Sequence, residues 1–161
     1  MLRKFGMSKT GEDEEAFRKL AVEVRFLEST AEAIQSRINF VNAALNELRY
    51  AKETLEGIEK QEVDVPLLVP IGGGSYVKAK LESRDTVILG IGAGVAVEKS
   101  LKDAKETLSK RMEELEKVRS NLQQQLTQVL NRIEADRAKL GEISERISGR
   151  QTDVRKAQGG T

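Results

Sequence analysis

The residues in this chain that could do chemistry are its glycines and its acids. Gly90–Ile91–Gly92–Ala93–Gly94 resembles part of a dinucleotide-binding loop, whose backbone amides would face a pyrophosphate. The full motif needs a third Gly three residues after the second, in a strand–turn–helix unit. Position 95 is Val and another β-branched run follows, so a tight hairpin is the expected reading. Gly72–Gly73–Gly74 lacks the Gly-Lys-Ser/Thr ending of a phosphate loop and reads as a turn. Acidic pairs such as Glu113–Glu114 lie among Lys and Arg on helical stretches, where i,i+4 pairing on a solvated face explains them better than metal or acid–base work. Gln123–Gln124–Gln125 is a polar helical stretch with no assigned role.

Composition narrows the chemistry further. There is no Cys and no His, which removes disulfides, thiolate sites, the usual neutral-pH base and the commonest metal ligand. No Ser has a visible base, and neither a catalytic residue, a metal nor a cofactor is expected. Lys and Arg total 27 against 26 Asp and Glu, so nothing electrostatic draws the chain to nucleic acid or an anionic membrane. No apolar run approaches the roughly 20 residues needed to span a bilayer, and the N-terminus lacks a signal peptide's apolar core, so a cytoplasmic protein is expected. Aromatic residues are only 4% and charged residues 33%, which suits long solvent-flanked helices more than a compact globule.

Five segments follow. Residues 1–11 read as a disordered tail. The first helical segment covers 12–62 and opens near Thr10–Gly11, where Thr10 and Asp13 have capping-box spacing and Glu12 to Glu15 are all acidic. Phe17, Val24, Ala31, Ile38 and Leu45 occupy one heptad position; Leu20, Leu27, Ile34, Val41, Leu48 and Leu55 occupy the other. Lys52 alone interrupts this coiled-coil pattern. At 1.5 Å per residue such a segment is a rod of about 65 Å.

Pro66 and Pro70 end the helical pattern. Residues 63–97 predict strands near Leu67–Ile71, Ser75–Leu81, Thr86–Ile91 and Val95–Val97, with turns at Gly72–Gly74, Glu82–Asp85 and Gly92–Gly94: two β-hairpins. The second helical segment, 98–149, opens near Ser100 with Asp103 three residues on. Its seam runs through Leu101, Ala104, Leu108, Leu115, Val118 and Leu122. A stutter takes it to Leu126, and it resumes through Val129, Ile133, Leu140, Ile143 and Ile147. Gly149 is expected as a C′ cap and 150–161 as a second disordered tail. The fold class is therefore mainly α with a small β part: an antiparallel coiled-coil hairpin joined by two β-hairpins, with both chain ends at the far tip.

The β segment predicts partners. Val87–Ile88–Leu89–Gly90–Ile91 is apolar on both faces, whereas Val77 belongs to a strand with one wet face. Four short strands in roughly 35 residues can neither bury two apolar faces nor cover their own edges. Val77, Val87, Ile88, Leu89, Ile91 and Val95 are the candidate oligomerisation residues, building a composite sheet or barrel with other subunits. A second surface lies off the seam, where Val22 and Phe26 stand four residues apart and Phe40 continues their face. Gly141 weakens the neighbouring end of the second helix, leaving Phe17, Leu20, Leu140, Ile143 and Ile147 open to transient exposure.

Val65–Pro66–Leu67, Gly72–Gly73–Gly74–Ser75–Tyr76–Val77–Lys78–Ala79, Val87–Ile88–Leu89–Gly90–Ile91–Gly92–Ala93–Gly94 and Val97–Glu98–Lys99–Ser100, set between two helices, closely resemble the alpha subunits of the prefoldin family, in its archaeal form. The resemblance covers roughly 17–148 and is most specific from Pro66 to Ser100. It implies a hexamer of two alpha with four beta subunits on a double β-barrel whose coiled coils hold non-native proteins without ATP and deliver them to a group II chaperonin. It makes Phe17, Leu20, Val22, Phe26, Leu140, Ile143 and Ile147 candidate client contacts. The segment before Phe17 departs from the family's usual start, and Met7 is a second candidate initiator. The alternatives are a structural coiled-coil tether with the β segment as a multimerisation hub, and a nucleic-acid-binding helical arm, which the balanced charge disfavours.

Overall fold

The structure is a computed structural model that describes residues 9–158, and side chains over 11–149. Its order is α1 (Lys9–Glu59), β1 (Pro66–Gly72), β2 (Ser75–Lys80), β3 (Thr86–Gly92), β4 (Val95–Ser100) and α2 (Leu101–Gln158). By contact the chain divides into two compact units. A terminal unit combines the chain up to Ile38 with the chain from Asn121 onward, and a hairpin unit is Asn39–Ser120. No described helix is long and apolar enough to cross a membrane.

The heptad does the work expected of it. Val24, Ala31, Ile34 and Ile38 are buried, as are Val41 and Leu45, while Phe17, Leu20, Leu27, Leu48 and Leu55 are half-buried. In the terminal unit the helices run antiparallel: Asp13 and Glu28 of α1 pair with Arg146 and Arg137 of α2. Val24, Ala31 and Ile133 form a core flanked by Leu27, Leu126, Val129 and Leu140. In the hairpin unit Leu101, Ala104 and Leu108 are buried, and Lys105 pairs with Glu59 at 2.7 Å. Val118, where the stutter begins, is turned partly outward. It lines an open apolar groove of about 650 Å³ with Ala44, Leu48, Ala51 and Leu115.

The helix ends differ from the sequence reading. Helix α1 is already running at Lys9, so Thr10 is helical and not the cap. Helix α2 continues through Gly149 to Gln158, so Gly149 is no C′ cap and 150–158 are no coil. A glycine caps a helix where the chain turns left-handed, and Gly149 is not among the glycines with positive φ. Of the expected tails, residues 1–8, with Met1 and Met7, and 159–161 lie outside the described residues. Helix α1 stops at Glu59, three residues early, because Lys60 and Gln61 donate back to Gly57 and Ile58 in a tightened last turn. At the start of α2 the Asp103 amide donates to Ser100 Oγ at 3.1 Å, the N-cap bond that the spacing predicts.

The β segment forms two separate antiparallel hairpins, β1–β2 and β3–β4, not one sheet. Their turns are near copies: Gly72, Gly73 and Gly74, and likewise Gly92, Ala93 and Gly94, all have positive φ. L side chains resist that conformation, which is why both turns are almost wholly glycine. The ladder of each hairpin slips by one residue just before the turn, between Pro70 and Gly72 and between Gly90 and Gly92. Ser83 Oγ accepts from the amides of Asp85 and Thr86, closing the link between hairpins.

Candidate interaction surfaces

The glycine motif resolves locally. Gly92–Ala93–Gly94 is followed by a strand and not by a helix N-terminus, so its amides are not gathered into a phosphate cradle.

The candidate oligomerisation residues divide by face. In the second hairpin Leu89 is buried and Val87 and Val97 half-buried, while Ile88 is 79% exposed and Ile91, at the bulge, and Val95, just past it, are exposed. Leu89 therefore belongs to the chain's own packing, and the exposed apolar residues of this hairpin are Ile88 and Ile91 of β3 and Val95 of β4. Arg111 of α2 fixes this hairpin by donating to the Gly90 carbonyl at 2.9 Å, and the Leu101 amide donates to the Asp85 backbone carbonyl at 2.8 Å. The first hairpin is tied at its base, where the Asp64 amide donates to the Leu81 carbonyl and the Leu81 amide to the Val65 carbonyl. Beyond that base Leu68, Val69, Ile71, Tyr76 and Val77 are all exposed. Of these only Val77 was singled out from sequence. Leu68, Val69 and Ile71 lie in β1, where Pro66 and Pro70 obscure the alternation, and Tyr76 lies in β2 among the lysines of its wet face.

The candidate client contacts also divide. Val22 and Phe26 stand 67% and 71% exposed on α1 in the terminal unit. Phe17, Leu20, Leu140 and Ile147 are half-buried and Ile143 is buried, so these five are seam residues in this state. Phe40, in the hairpin unit, is also exposed.

The seam holds one residue that the sequence reading passed over. Between Ile133 and Leu140 the 3–4 spacing lands on Asp136, whose side chain has no exposed surface. Arg132 Nε donates to it at 2.7 Å and Lys139 Nζ at 3.4 Å, while Arg132 also reaches Glu23 of α1 at 3.0 Å. Burial alone pushes the Asp136 carboxyl upward, but the hydrogen bonds and charges of Arg132 and Lys139 together outweigh it and hold the group below its ordinary range. Arg132 is raised in turn, by Asp136 first and then Glu23. Among the described residues no cluster of three or more acidic side chains could hold a metal ion.

A family model described as prefoldin subunit matches residues 27–146, well over half of the chain. The chain belongs to the prefoldin family. Prefoldin subunit alpha 1 of Thermococcus kodakarensis is 38% identical over 103 residues, covering 64% of this chain and 70% of that protein. Prefoldin subunit alpha of Pyrococcus horikoshii is 32% identical over 139 residues, covering 86% of this chain and 94% of its own. Among solved structures, filamentous PFD from Methanocaldococcus jannaschii superposes with a TM-score of 0.64 at 24% identity, covering 72% of this chain and 96% of that one. Two long helices with two small antiparallel β-hairpins between them are the prefoldin fold. Prefoldins are a family of chaperone subunits, not a class of enzymes.

Proposed function

We propose that this chain is the alpha-type subunit of a cytoplasmic holdase. It assembles through its hairpins with prefoldin beta subunits, two alpha with four beta. It captures non-native proteins on the terminal unit without ATP and passes them to a group II chaperonin. The observation that carries the reading is the exposure of Val22 and Phe26 on a helix whose seam is otherwise satisfied. Non-native proteins expose apolar surface, and each Å² covered contributes roughly 25 cal/mol, so one such patch binds weakly and reversibly. Several copies on one assembled platform raise the effective concentration. The platform is supported by two hairpins that carry apolar residues on outward faces and leave the outer edge of each strand without a strand partner among the described residues, a surface that strands of other subunits can cover.

The test is a Val22→Ser, Phe26→Ser variant co-assembled with beta subunits and assayed for suppression of client aggregation. Both side chains are exposed, so the fold is expected to be kept while suppression falls several-fold. Full suppression by an intact complex rejects the client-contact assignment and favours the structural tether. Ile143 is a poorer probe than Val22 or Phe26, because removing a buried seam residue loosens the helix pair as well.

A further inference from the structure

Asp136 is the one buried charged side chain among the described residues, and it sits where a coiled coil ordinarily places a leucine. The groups that face it are Arg132 and Lys139 of its own helix, with Glu23 of α1 joined through Arg132. Both cations keep about half of their side-chain surface in water, at 54% and 57%. The cluster is thus a buried carboxylate held by solvent-screened partners.

That arrangement has an energetic consequence. Desolvating a carboxylate offsets much of what its ion pairs return, and replacing such a group by a well-packed apolar side chain is commonly neutral or stabilising. When the helices part, Asp136 regains its hydration and loses little Coulomb energy to its wet cations. A leucine in its place would instead expose apolar surface, as Ile133, Leu140 and Ile143 around it do. Opening is therefore easier with Asp136 than with any apolar residue at that position.

We propose that Asp136 is a weak latch in the seam of the terminal unit, which lets the helix pair part and lend Leu140 and Ile143 to a non-native client. The latch deepens the holdase reading and rests on it for its purpose, though not for its physics.

Amide hydrogen exchange on the complex assembled with beta subunits measures the latch without any client. Asp136→Leu is expected to slow exchange over residues 133–147 by about tenfold or more, the change that apolar replacement of a buried ion pair allows. The same variant is expected to suppress client aggregation less well, with Val22 and Phe26 untouched. Arg132→Ala, which strands the buried carboxylate, is expected to speed exchange over the same residues. Asp136→Met, with its more adaptable side chain, repeats the measurement in case leucine overpacks the site. Exchange that is unchanged or faster in both apolar variants, or failure of both to fold, overturns the latch. Slower exchange with full suppression overturns its use for clients and leaves the contact by Val22 and Phe26 standing. Absence of suppression by the unmodified complex defeats the holdase reading, while the exchange result still decides the latch.

Discussion

The terminal unit and the hairpin unit share one heptad grammar and spend it differently. In the hairpin unit the seam is apolar and buried at Val41, Leu45, Leu101, Ala104 and Leu108, and its charged position, Lys52, is only half-buried. In the terminal unit the same period runs through Val24, Ala31 and Ile133, admits Asp136, and is bridged at its margins by the exposed pairs Glu23–Arg132, Glu28–Arg137 and Asp13–Arg146. Apolar burial is not screened by salt and does not titrate, whereas exposed ion pairs contribute little and a buried carboxylate depends on its partners. One unit is built to stay packed and to offer strands. The other is packed around a fully buried charge and offers Val22 and Phe26.

The comparison breaks hardest inside the hairpin unit. Leu89→Asp puts a charge at a buried position, and we expect a loss of about 4 kcal/mol or more, read as a collapse of the thermal transition of the isolated chain. Leu68→Asp puts the same charge at an exposed position. It should change the isolated chain by about 0.5 kcal/mol or less, yet prevent the complex with beta subunits from reaching full mass. If Leu68→Asp assembles normally, the outward face of the first hairpin is not an interface.

Leu45→Ala comes next. Leu45 is 1% exposed, and its truncation is expected to cost about 3 kcal/mol by denaturant unfolding. Gly141→Ala works in the opposite direction on the terminal unit. Nothing lies within 4 Å of the added Cβ, and a helix-interior glycine is replaced, so a gain of about 1 kcal/mol is expected, seen as stronger exchange protection near residue 141. A loss of protection there would mean that the glycine serves a packing need that its open surroundings do not reveal.

The smallest effect at neutral pH emerges in acid. The Asp136 carboxyl lies below its ordinary range when folded, so its stabilising contribution is complete above the unfolded value and disappears as pH falls through the folded one. As pH falls below the ordinary carboxylate range, the terminal unit should lose the exchange protection that requires unfolding of α2, where the contacts of Asp136 with Arg132 and Lys139 are lost, ahead of the hairpin unit, and Asp136→Asn should remove that lead. Glu106 is likewise lowered by Lys110, but that pair is exposed and screened, so the hairpin unit gains no matching acid step. Simultaneous loosening of both units would show that the Asp136 cluster does not set the difference.

Much of this protein was legible from local pattern. The seam from Phe17 to Leu55, the glycine turns at 72–74 and 92–94, and the Ser100 cap each depend on spacing within a few residues. Helical period, left-handed turns and capping bonds are themselves that local. Asp136 was legible in principle, since the 3–4 count from Ile133 lands on it, but an aspartate invites a solvent-facing reading until the opposite helix is in place. What only the tertiary structure decided was burial across elements: Leu89 turned inward and Ile88 outward, Leu68 and Ile71 left uncovered, two hairpins kept as separate sheets, and α2 carried past Gly149. The reason is that alternation marks two faces of a strand without saying which one meets a neighbour. A residue's burial depends on the partner element packed against it, and that partner lies far away in sequence.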